Sequence, residues 1–437
     1  MDAVYGQCRG ALSLRCWIAP RRQSHGARWK KCGGGNTQAG GLIMSAAERK
    51  TMLLTTPFHS RVEQHCELND WGLWQGYTTP NSYFDMELEY FAIRSTAGVL
   101  DLSPMNKYRI LGPDAEAFLN RLVTRDVTKI GVDRVGYAVW CNDGGELMDD
   151  GTIFHLAEDD YRLCSYMRAD DWLEWNASGF DVTINNESDD IAALAVQGPV
   201  SCTILTLIGC EGLNELKPFG IARFDFEGVE MMVSRTGFTG DLGYEVWIDP
   251  SKANALWDQL FDKGRDYLIK PIGSHALHVA RIEAGFLQAN VDFVPAEIAV
   301  RPGRTRTPLE MGLDWQVDFN KSLFNGRAAL LKQREEGLRY RFVLLDVEGN
   351  KPAEHSFIYK NGKQIGIVTS AAWCPTAKSN LAFAQVEMPH GAVGDEFVAE
   401  IYYQRELQWT RLMAPCKVID GPLFNPPRKR QTPAPAH

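Results

Sequence analysis

Several residue patterns that mark common classes of protein are missing from this chain of 437 residues. Its ten cysteines include no CxxC pair and match no zinc or disulfide spacing, which predicts buried, reduced thiols, a reducing compartment and no metal site. No apolar run approaches the ~20 residues that a membrane helix needs. The formal net charge of -9 argues against nucleic-acid and anionic-membrane partners. These absences predict a cytoplasmic globular protein.

The two ends of the chain differ in composition from its middle. The first 43 residues hold seven Arg or Lys and a single acid, Asp2. Residues 1–46 are therefore predicted to be a disordered segment: either a leader that precedes a start at Met44, or a transit peptide, which would make the location mitochondrial. Residues 426–437 are basic and rich in proline, and they predict a disordered tail.

Between these ends, strand and helix patterns are mixed. The stretch GYAVWCNDGGELMDDGTIF has two β-rich runs around the turn NDGG, which predicts a hairpin. After about residue 335 the pattern becomes β throughout and includes the two-residue turn KNGK. We therefore predict an α+β body over 47–330, divided into two subdomains, and a β-barrel over 335–425.

Two acidic motifs are candidates for chemistry. Asp149 and Asp150 are adjacent, so on a strand one faces a cleft while the other takes a structural hydrogen bond; a turn-capping pair is the simpler interpretation. In GFTGDLGYEVW, glycines at GxxGxxG spacing allow a close backbone approach before Glu245. Its carboxylate can accept two N–H donors from an amino-heterocycle such as a pterin, or it can be a solvated side chain of a bulged hairpin.

Basic residues form two further candidates. Arg281, in GSHALHVARIEAGF, is either a surface charge or the partner of a carboxylate. Arg301, Arg304 and Arg306 lie close together in a segment with proline and glycine. They are either a solvated basic loop or a guanidinium site for a substrate carboxylate.

These motifs together resemble the aminomethyltransferase (T-protein) family of the glycine cleavage system, over about residues 55 to 420. The segments that carry the resemblance follow in the family's order: TPFHSRVEQ, GPDAEAFLNRLVTRDV, GGELMDDGTIF, VQGP, GFTGDLGYE, ARIEAG, TPLEMGLDW, LFNGRAAL and GIVTSAAWCPT. The resemblance implies a three-domain cloverleaf with tetrahydrofolate in its central hole. It implies that Asp149 is the catalytic carboxylate, that Tyr137 lines the folate cavity and that Glu245 binds the pterin edge. Phe238 and Arg281 fall in motifs expected to contact the same cofactor.

The resemblance implies a tetrahydrofolate-dependent aminomethyl or methyl transferase that takes its carbon from a small one-carbon donor, with a lipoyl carrier protein as a possible partner. Some positions depart from the family: Leu277 stands where an arginine is usual, Phe238 replaces a common tyrosine, and the segment with the three arginines is longer. The chain is therefore expected to be a divergent member. The alternatives are a folate-dependent demethylase of a sulfonium compound, methylamine or aromatic methyl ether, and a non-catalytic folate-binding regulator.

Overall fold

A computed structural model describes residues 53–433, in which helices and strands are mixed along the chain. The α-helices are α1 His59–His65, α2 Met86–Ser95, α3 Ala115–Leu122, α4 Asp170–Asn176, α5 Ser201–Leu207, α6 Ala253–Lys263, α7 Ser274–Glu283 and α8 Arg327–Glu336. Local sequence explains where α2 begins. The Asp85 carboxylate accepts the amide N–H of Leu88 at 2.9 Å, and two glutamates follow in the first turn, where the helix dipole favours negative charge.

The strands form a short hairpin, two larger sheets and a barrel. In chain order they are β1 Asp70–Trp74, β2 Tyr77–Ser82, β3 Gly98–Asp101, β4 Asn106–Leu111, β5 Arg134–Cys141, β6 Leu147–Ala157, β7 Asp160–Ser165, β8 Thr183–Asn186, β9 Ala192–Gln197, β10 Ile221–Phe226, β11 Val229–Ser234, β12 Gly243–Ile248, β13 Lys270–Pro271, β14 Tyr340–Val347, β15 Phe357–Lys360, β16 Lys363–Cys374, β17 Ser379–Glu387, β18 Glu396–Arg405 and β19 Gln408–Ile419. The first sheet has the order β10-β11-β12-β9-β3-β13, and the second has the order β5-β6-β7-β4-β8.

The two sheets pack against each other through one apolar layer. Phe154 and Cys164 of the second sheet share a buried cluster with Ala195 and Trp247 of the first. The rings of Phe154 and Trp247 meet edge to face, with centroids 5.2 Å apart. Since side chains alternate along a strand, every second residue of β6 and of β12 points into this space between the sheets.

Helices cover the other face of each sheet. The core on the outer side of the first sheet includes Leu205 of α5 and Trp257 of α6, both fully buried. The core on the outer side of the second sheet includes Phe118 of α3 and Leu173 of α4. Both sheets are therefore enclosed on their outer faces, so a ligand site formed by these sheets lies between them or at their edges.

The expected α+β body with a C-terminal barrel is confirmed. Strands β14 to β19 close into a barrel in the order β14-β17-β16-β15-β18-β19. The KNGK turn joins β15 to β16 as predicted, with Asn361 and Gly362 both at positive φ. Helix α7 packs on the barrel through Ile282, which shares a buried cluster with Phe383.

The prediction of a disordered tail is wrong for residues 426–433, which fold onto the body. Arg428 donates from Nε to Oδ1 of Asp241 at 2.6 Å and from Nη2 to the carbonyl of Arg94 at 3.0 Å. The basic, proline-rich composition predicts disorder, but Arg428 is held by the buried carboxylate of Asp241, about 190 positions earlier in the chain. Residues 434–437 and the predicted leader, 1–46, lie outside the described residues.

The thiols behave as predicted where they are described. Seven cysteines fall in the described part of the chain; all are free, six are buried and Cys66 is half-buried. Buried free cysteines act as small apolar side chains, as Cys164 does between the sheets. Among the helices of residues 53–433, none is long and apolar enough to cross a membrane.

Candidate active site

The predicted hairpin brings the acidic pair to the centre of the second sheet. Strand β5 pairs antiparallel with β6, so that Val139 lies opposite Asp150 and Trp140 opposite Asp149. The two carboxylates consequently point to opposite faces. Asp149 shares its face with Trp140, which belongs to the core under α3 and α4. Asp150 shares its face with Tyr137 and, four residues further along β6, with Phe154 of the apolar layer between the sheets.

Asp150 is half-buried and retains a hydrogen-bonding partner. The hydroxyl of Tyr137 donates to Oδ2 of Asp150 at 2.9 Å. Burial raises the pKa of Asp150 to about 6, although the Tyr137 hydrogen bond opposes the shift by stabilising the charged form. A carboxyl group that titrates near neutral pH and keeps some accessible surface can both accept and return a proton.

Asp149 is more deeply enclosed. It is 1% exposed, and its Oδ2 accepts the amide N–H of Met167 at 2.7 Å, while Oδ1 has no hydrogen-bonding partner among the described residues. Burial, reinforced by the Asp150 carboxylate, raises the pKa of Asp149 well above its ordinary value. Burial and the neighbouring carboxylate therefore disfavour the charged form of Asp149.

Glu245 faces the same space from the first sheet. It lies on β12 opposite Ala195 and two residues before Trp247, both of which belong to the layer between the sheets. The hydroxyl of Thr236 donates to Oε2 of Glu245 at 2.6 Å. Burial raises the pKa of Glu245 to about 7. Burial, and in smaller part the Glu245 carboxylate, raises the pKa of the Cys164 thiol to about 12.

A side chain that sequence reasoning overlooked holds the glycine loop in place. Gln197 donates from Nε2 to the carbonyls of Thr236 and Tyr244, each at 3.2 Å. A Cβ atom at Gly237 or Gly243 would lie 2.0 or 2.2 Å from Oε1 of Gln197, so a side chain at either position would displace the Gln197 amide from these hydrogen bonds. The sequence feature that could have identified Gln197 is the motif VQGP, where a polar residue at the end of an apolar run precedes a glycine.

The family model "GCVT N-terminal domain" matches residues 62–321, and "Glycine cleavage T-protein C-terminal barrel domain" matches residues 340–424. The chain belongs to the glycine cleavage T-protein family. The predicted family membership is thereby confirmed.

Two curated relatives of the chain are both named aminomethyltransferase. The protein of Caldanaerobacter subterraneus is 34% identical over 74% of this chain and 85% of its own length. That of Lysinibacillus sphaericus is 32% identical over 75% of this chain and 88% of its own length. The crystal structure of glycine cleavage system aminomethyltransferase T from Bartonella henselae matches with a TM-score of 0.75 at 24% identity, covering 87% of this chain and all of that chain. The predicted T-protein fold is confirmed.

In this T-protein family member, Phe238 lies in the glycine loop and stacks on Phe286, with ring centroids 5.6 Å apart and planes 16° from parallel. Phe286 also connects the loop to Arg281, whose Nη1 donates to the Phe286 carbonyl at 3.1 Å. The pair therefore forms a half-buried aromatic surface next to the loop that precedes Glu245. Its role in cofactor binding stays a prediction.

Arg281 does meet a carboxylate, but it is one from this chain. Arg281 and Asp292 form an ion pair in which both side chains are fully buried. Asp292 also accepts the hydroxyls of Thr369 at 2.7 Å and Ser370 at 2.5 Å. Since its charge is already neutralised, direct contact between Arg281 and a cofactor carboxylate has no support in these contacts.

The three arginines of the long segment do not behave alike. Arg301 and Arg304 are exposed, whereas Arg306 is 5% exposed and lies over the ring of Tyr340 at 3.8 Å. Arg306 also donates to the carbonyls of Gly303 and Thr305. Arg306 is thus a structural anchor of the segment, and the two exposed arginines remain candidates for a substrate carboxylate.

Proposed function

We propose that this T-protein family member is a tetrahydrofolate-dependent one-carbon transferase. One observation carries the proposal: Asp150, with its Tyr137 partner, and Glu245 face the same space from two different sheets. The family match and the name aminomethyltransferase of its curated relatives support this assignment.

The residues facing this space fit a reduced pterin with an aromatic tail. Tetrahydrofolate supplies the amine nitrogen that receives the one-carbon unit. Glu245, supported by Thr236, offers a carboxylate to adjacent N–H donors of the pterin edge. Tyr137 and Phe238 offer aromatic faces, and such surfaces bind flat heterocycles by stacking.

Asp150 is the better placed member of the acidic pair to act on that amine. The sequence assigned catalysis to Asp149, which remains a candidate, but Asp149 faces the core under the helices. Asp150 holds a proton below about pH 6 and releases it above. As an anion it stabilises positive charge that develops on a neighbouring nitrogen, and a preorganised charge of this kind supplies roughly 3–4 kcal/mol. Comparing variants of Asp149 and Asp150 shows which of the two carboxyl groups is catalytic.

The experiment that tests this proposal identifies which one-carbon group is transferred and which donor supplies it. The full chain is incubated with tetrahydrofolate and candidate donors, and the folate products are identified by mass spectrometry. We expect methylene-folate from an aminomethyl group on a lipoyl carrier protein. Methyl-folate from a sulfonium, methylamine or methyl-ether donor would identify a demethylase. Folate binding without any product would contradict the enzymatic assignment and leave a binding protein.

Glu245→Gln should weaken folate binding and remove part of its pH dependence. Only the ionised carboxylate accepts two N–H donors, and the pKa of Glu245 is about 7. In the wild type we therefore expect affinity for tetrahydrofolate to fall about tenfold from pH 8 to pH 6. The variant should bind about tenfold more weakly at pH 8, with a flatter profile. Fluorescence titration measures both, and an unchanged slope in the variant would contradict the role of Glu245.

Arg301→Gln and Arg304→Gln test the exposed arginines. If a donor carboxylate binds this segment, the double variant should raise the KM of the donor about fivefold and leave kcat unchanged, because solvent-exposed ion pairs are weak. Steady-state kinetics with the donor identified above provides the measurement. A fall in kcat at constant KM would argue against a binding role. Arg306 is excluded from this test because it anchors the segment on Tyr340.

A further inference from the structure

A second group of aromatic rings lies beside Asp150, on the side opposite Tyr137. Strand β6, which carries Asp150, runs between β5 and β7. The register of β6 with β7 places Tyr166, the residue that follows β7, alongside Asp150. The ring of Trp74, from β1, stacks on that of Tyr166, with centroids 6.2 Å apart and planes 20° from parallel. Asp150 therefore lies between Tyr137 on one side and the stack of Tyr166 and Trp74 on the other.

The hairpin of β1 and β2 holds the Trp74 ring in this position. Nε2 of Gln75, the next residue, donates to the main-chain carbonyl of Tyr166, which also accepts Nδ2 of Asn106 at 3.0 Å. Trp74 packs on one side against the apolar layer between the two sheets. Both rings of the stack are half-buried, so each keeps surface that a ligand can contact.

The carboxylates that face this space lack a cationic partner. Neither Asp150 nor Glu245 forms an ion pair with a lysine, arginine or histidine in residues 53–433. The buried carboxylate of Asp292, by contrast, is paired with Arg281. An enclosed carboxylate is costly unless a cation accompanies it, so a cationic ligand gains binding energy in this space.

Aromatic faces next to an unpaired carboxylate are a combination that binds organic cations. A ring attracts an ammonium or similar cation placed within about 6 Å of its centroid, and the attraction is strongest where water is excluded. Trp74 also has a buried indole N–H that lacks a hydrogen-bonding partner within the described part of the chain. A ligand that gives this N–H an acceptor gains further binding energy. The stack therefore fits a small cation that also carries a hydrogen-bond acceptor.

We propose that Trp74, Tyr166 and Asp150 form a donor subsite, which binds the cationic head group of the one-carbon donor, an aliphatic ammonium or sulfonium. The two rings contact the head group, the Asp150 carboxylate balances its charge, and the Trp74 N–H binds an acceptor atom of the same molecule. The inference rests on the proposed transferase function and deepens it. Aminomethyl, methylamine and sulfonium donors fit this subsite when cationic, whereas a neutral aromatic methyl ether does not.

The test compares ligands of the same shape and different charge, by isothermal titration calorimetry of the full chain without folate. Glycine betaine has a trimethylammonium head, and 3,3-dimethylbutanoate is its isostere with a neutral head. We expect the betaine to bind at least about tenfold more tightly, since only its head group gains the cation–π contacts. Dimethylsulfonioacetate and free glycine, titrated in the same way, show whether a sulfonium or an unmethylated ammonium is preferred.

The proposal is overturned if none of the three cationic ligands binds more tightly than the neutral isostere. Tetrahydrofolate is titrated separately. Its failure to bind would contradict the transferase function and leave the result for the cationic ligands unaffected, so the two failures are distinguishable.

Trp74→Leu localises the effect, with Trp71→Leu as a matched control in the same strand. The Trp71 ring lies against that of His59, with centroids 5.5 Å apart, on the other face of the strand. Trp74→Leu should weaken binding of the betaine about tenfold and that of the isostere less than about twofold, because only a cation is attracted to the ring face. Trp74→Phe should retain most of the affinity, and Trp71→Leu all of it. Wild-type binding of the betaine by Trp74→Leu, or an equal loss of both ligands, would show that this stack is not the subsite.

Discussion

Asp150→Asn is expected to reduce kcat about 10²–10³-fold while tetrahydrofolate still binds, because the amide can accept the Tyr137 hydroxyl but cannot exchange a proton or carry charge. The wild-type kcat should fall as pH drops through about 6, where Asp150 becomes protonated, and the variant should lose this limb. Product formation under saturating folate, measured from pH 5 to pH 8, provides the readout.

Asp149→Asn is the matched control, since it changes the adjacent carboxyl on the opposite face. The amide retains an acceptor for the Met167 N–H, and burial already disfavours the charged form of the Asp149 carboxyl. Its kcat should therefore fall much less than that of Asp150→Asn. The reverse order of effects would support the original assignment of Asp149 and reject Asp150.

Stability distinguishes a catalytic defect in Asp150→Asn from misfolding. The pKa of Asp150 is raised in the folded state, so the native protein binds more protons than the unfolded chain between about pH 4 and pH 6. The wild type therefore loses stability as pH rises through this window, and the variant does not. At pH 7 the variant should be more stable by up to about 3 kcal/mol, with no gain below pH 4. A destabilised variant would mean that lost activity reflects folding.

Asp292→Ala is expected to lower the free energy of unfolding by about 3–5 kcal/mol, because it leaves the Arg281 guanidinium buried without a counter-charge. The hydroxyls of Thr369 and Ser370 lose their acceptor as well. Urea unfolding followed by circular dichroism at pH 7 measures the loss. Because Asp292 is both the counter-charge of Arg281 and the acceptor for two hydroxyls of β16, this is the largest stability effect we expect from a single substitution.

Arg265→Ala provides the comparison for a pair at the surface. Arg265 and Asp262 are 78% and 61% exposed, and breaking such a pair should cost less than about 1 kcal/mol. The double variant Arg281→Met with Asp292→Leu should recover part of the loss, since apolar side chains remove both buried charges together. A loss in Asp292→Ala no larger than in Arg265→Ala would show that the buried pair contributes little.

Much of the architecture could be predicted because its signals are local. The turn NDGG and the turn KNGK each determine a hairpin through a few adjacent residues, and the run of β patterns after residue 335 becomes the barrel. The partner of Arg281 could not be predicted in this way. Asp292 is only eleven positions away, yet it faces Arg281 because the intervening chain turns back and the barrel supplies Ser370 from the other side.

The sequence by itself determined that Asp149 and Asp150 point in opposite directions, since alternation is a property of any strand. It also determined the order of the T-protein motifs and therefore the family. Only the tertiary structure decided that Asp150 is the carboxylate that shares a space with Glu245, because that space exists only where a second sheet packs against the first. Long-range contact also explains why residues 426–433 fold onto the body although their composition predicts disorder. Arg428 is held by Asp241, a charge partner from a distant segment that no local sequence pattern can predict.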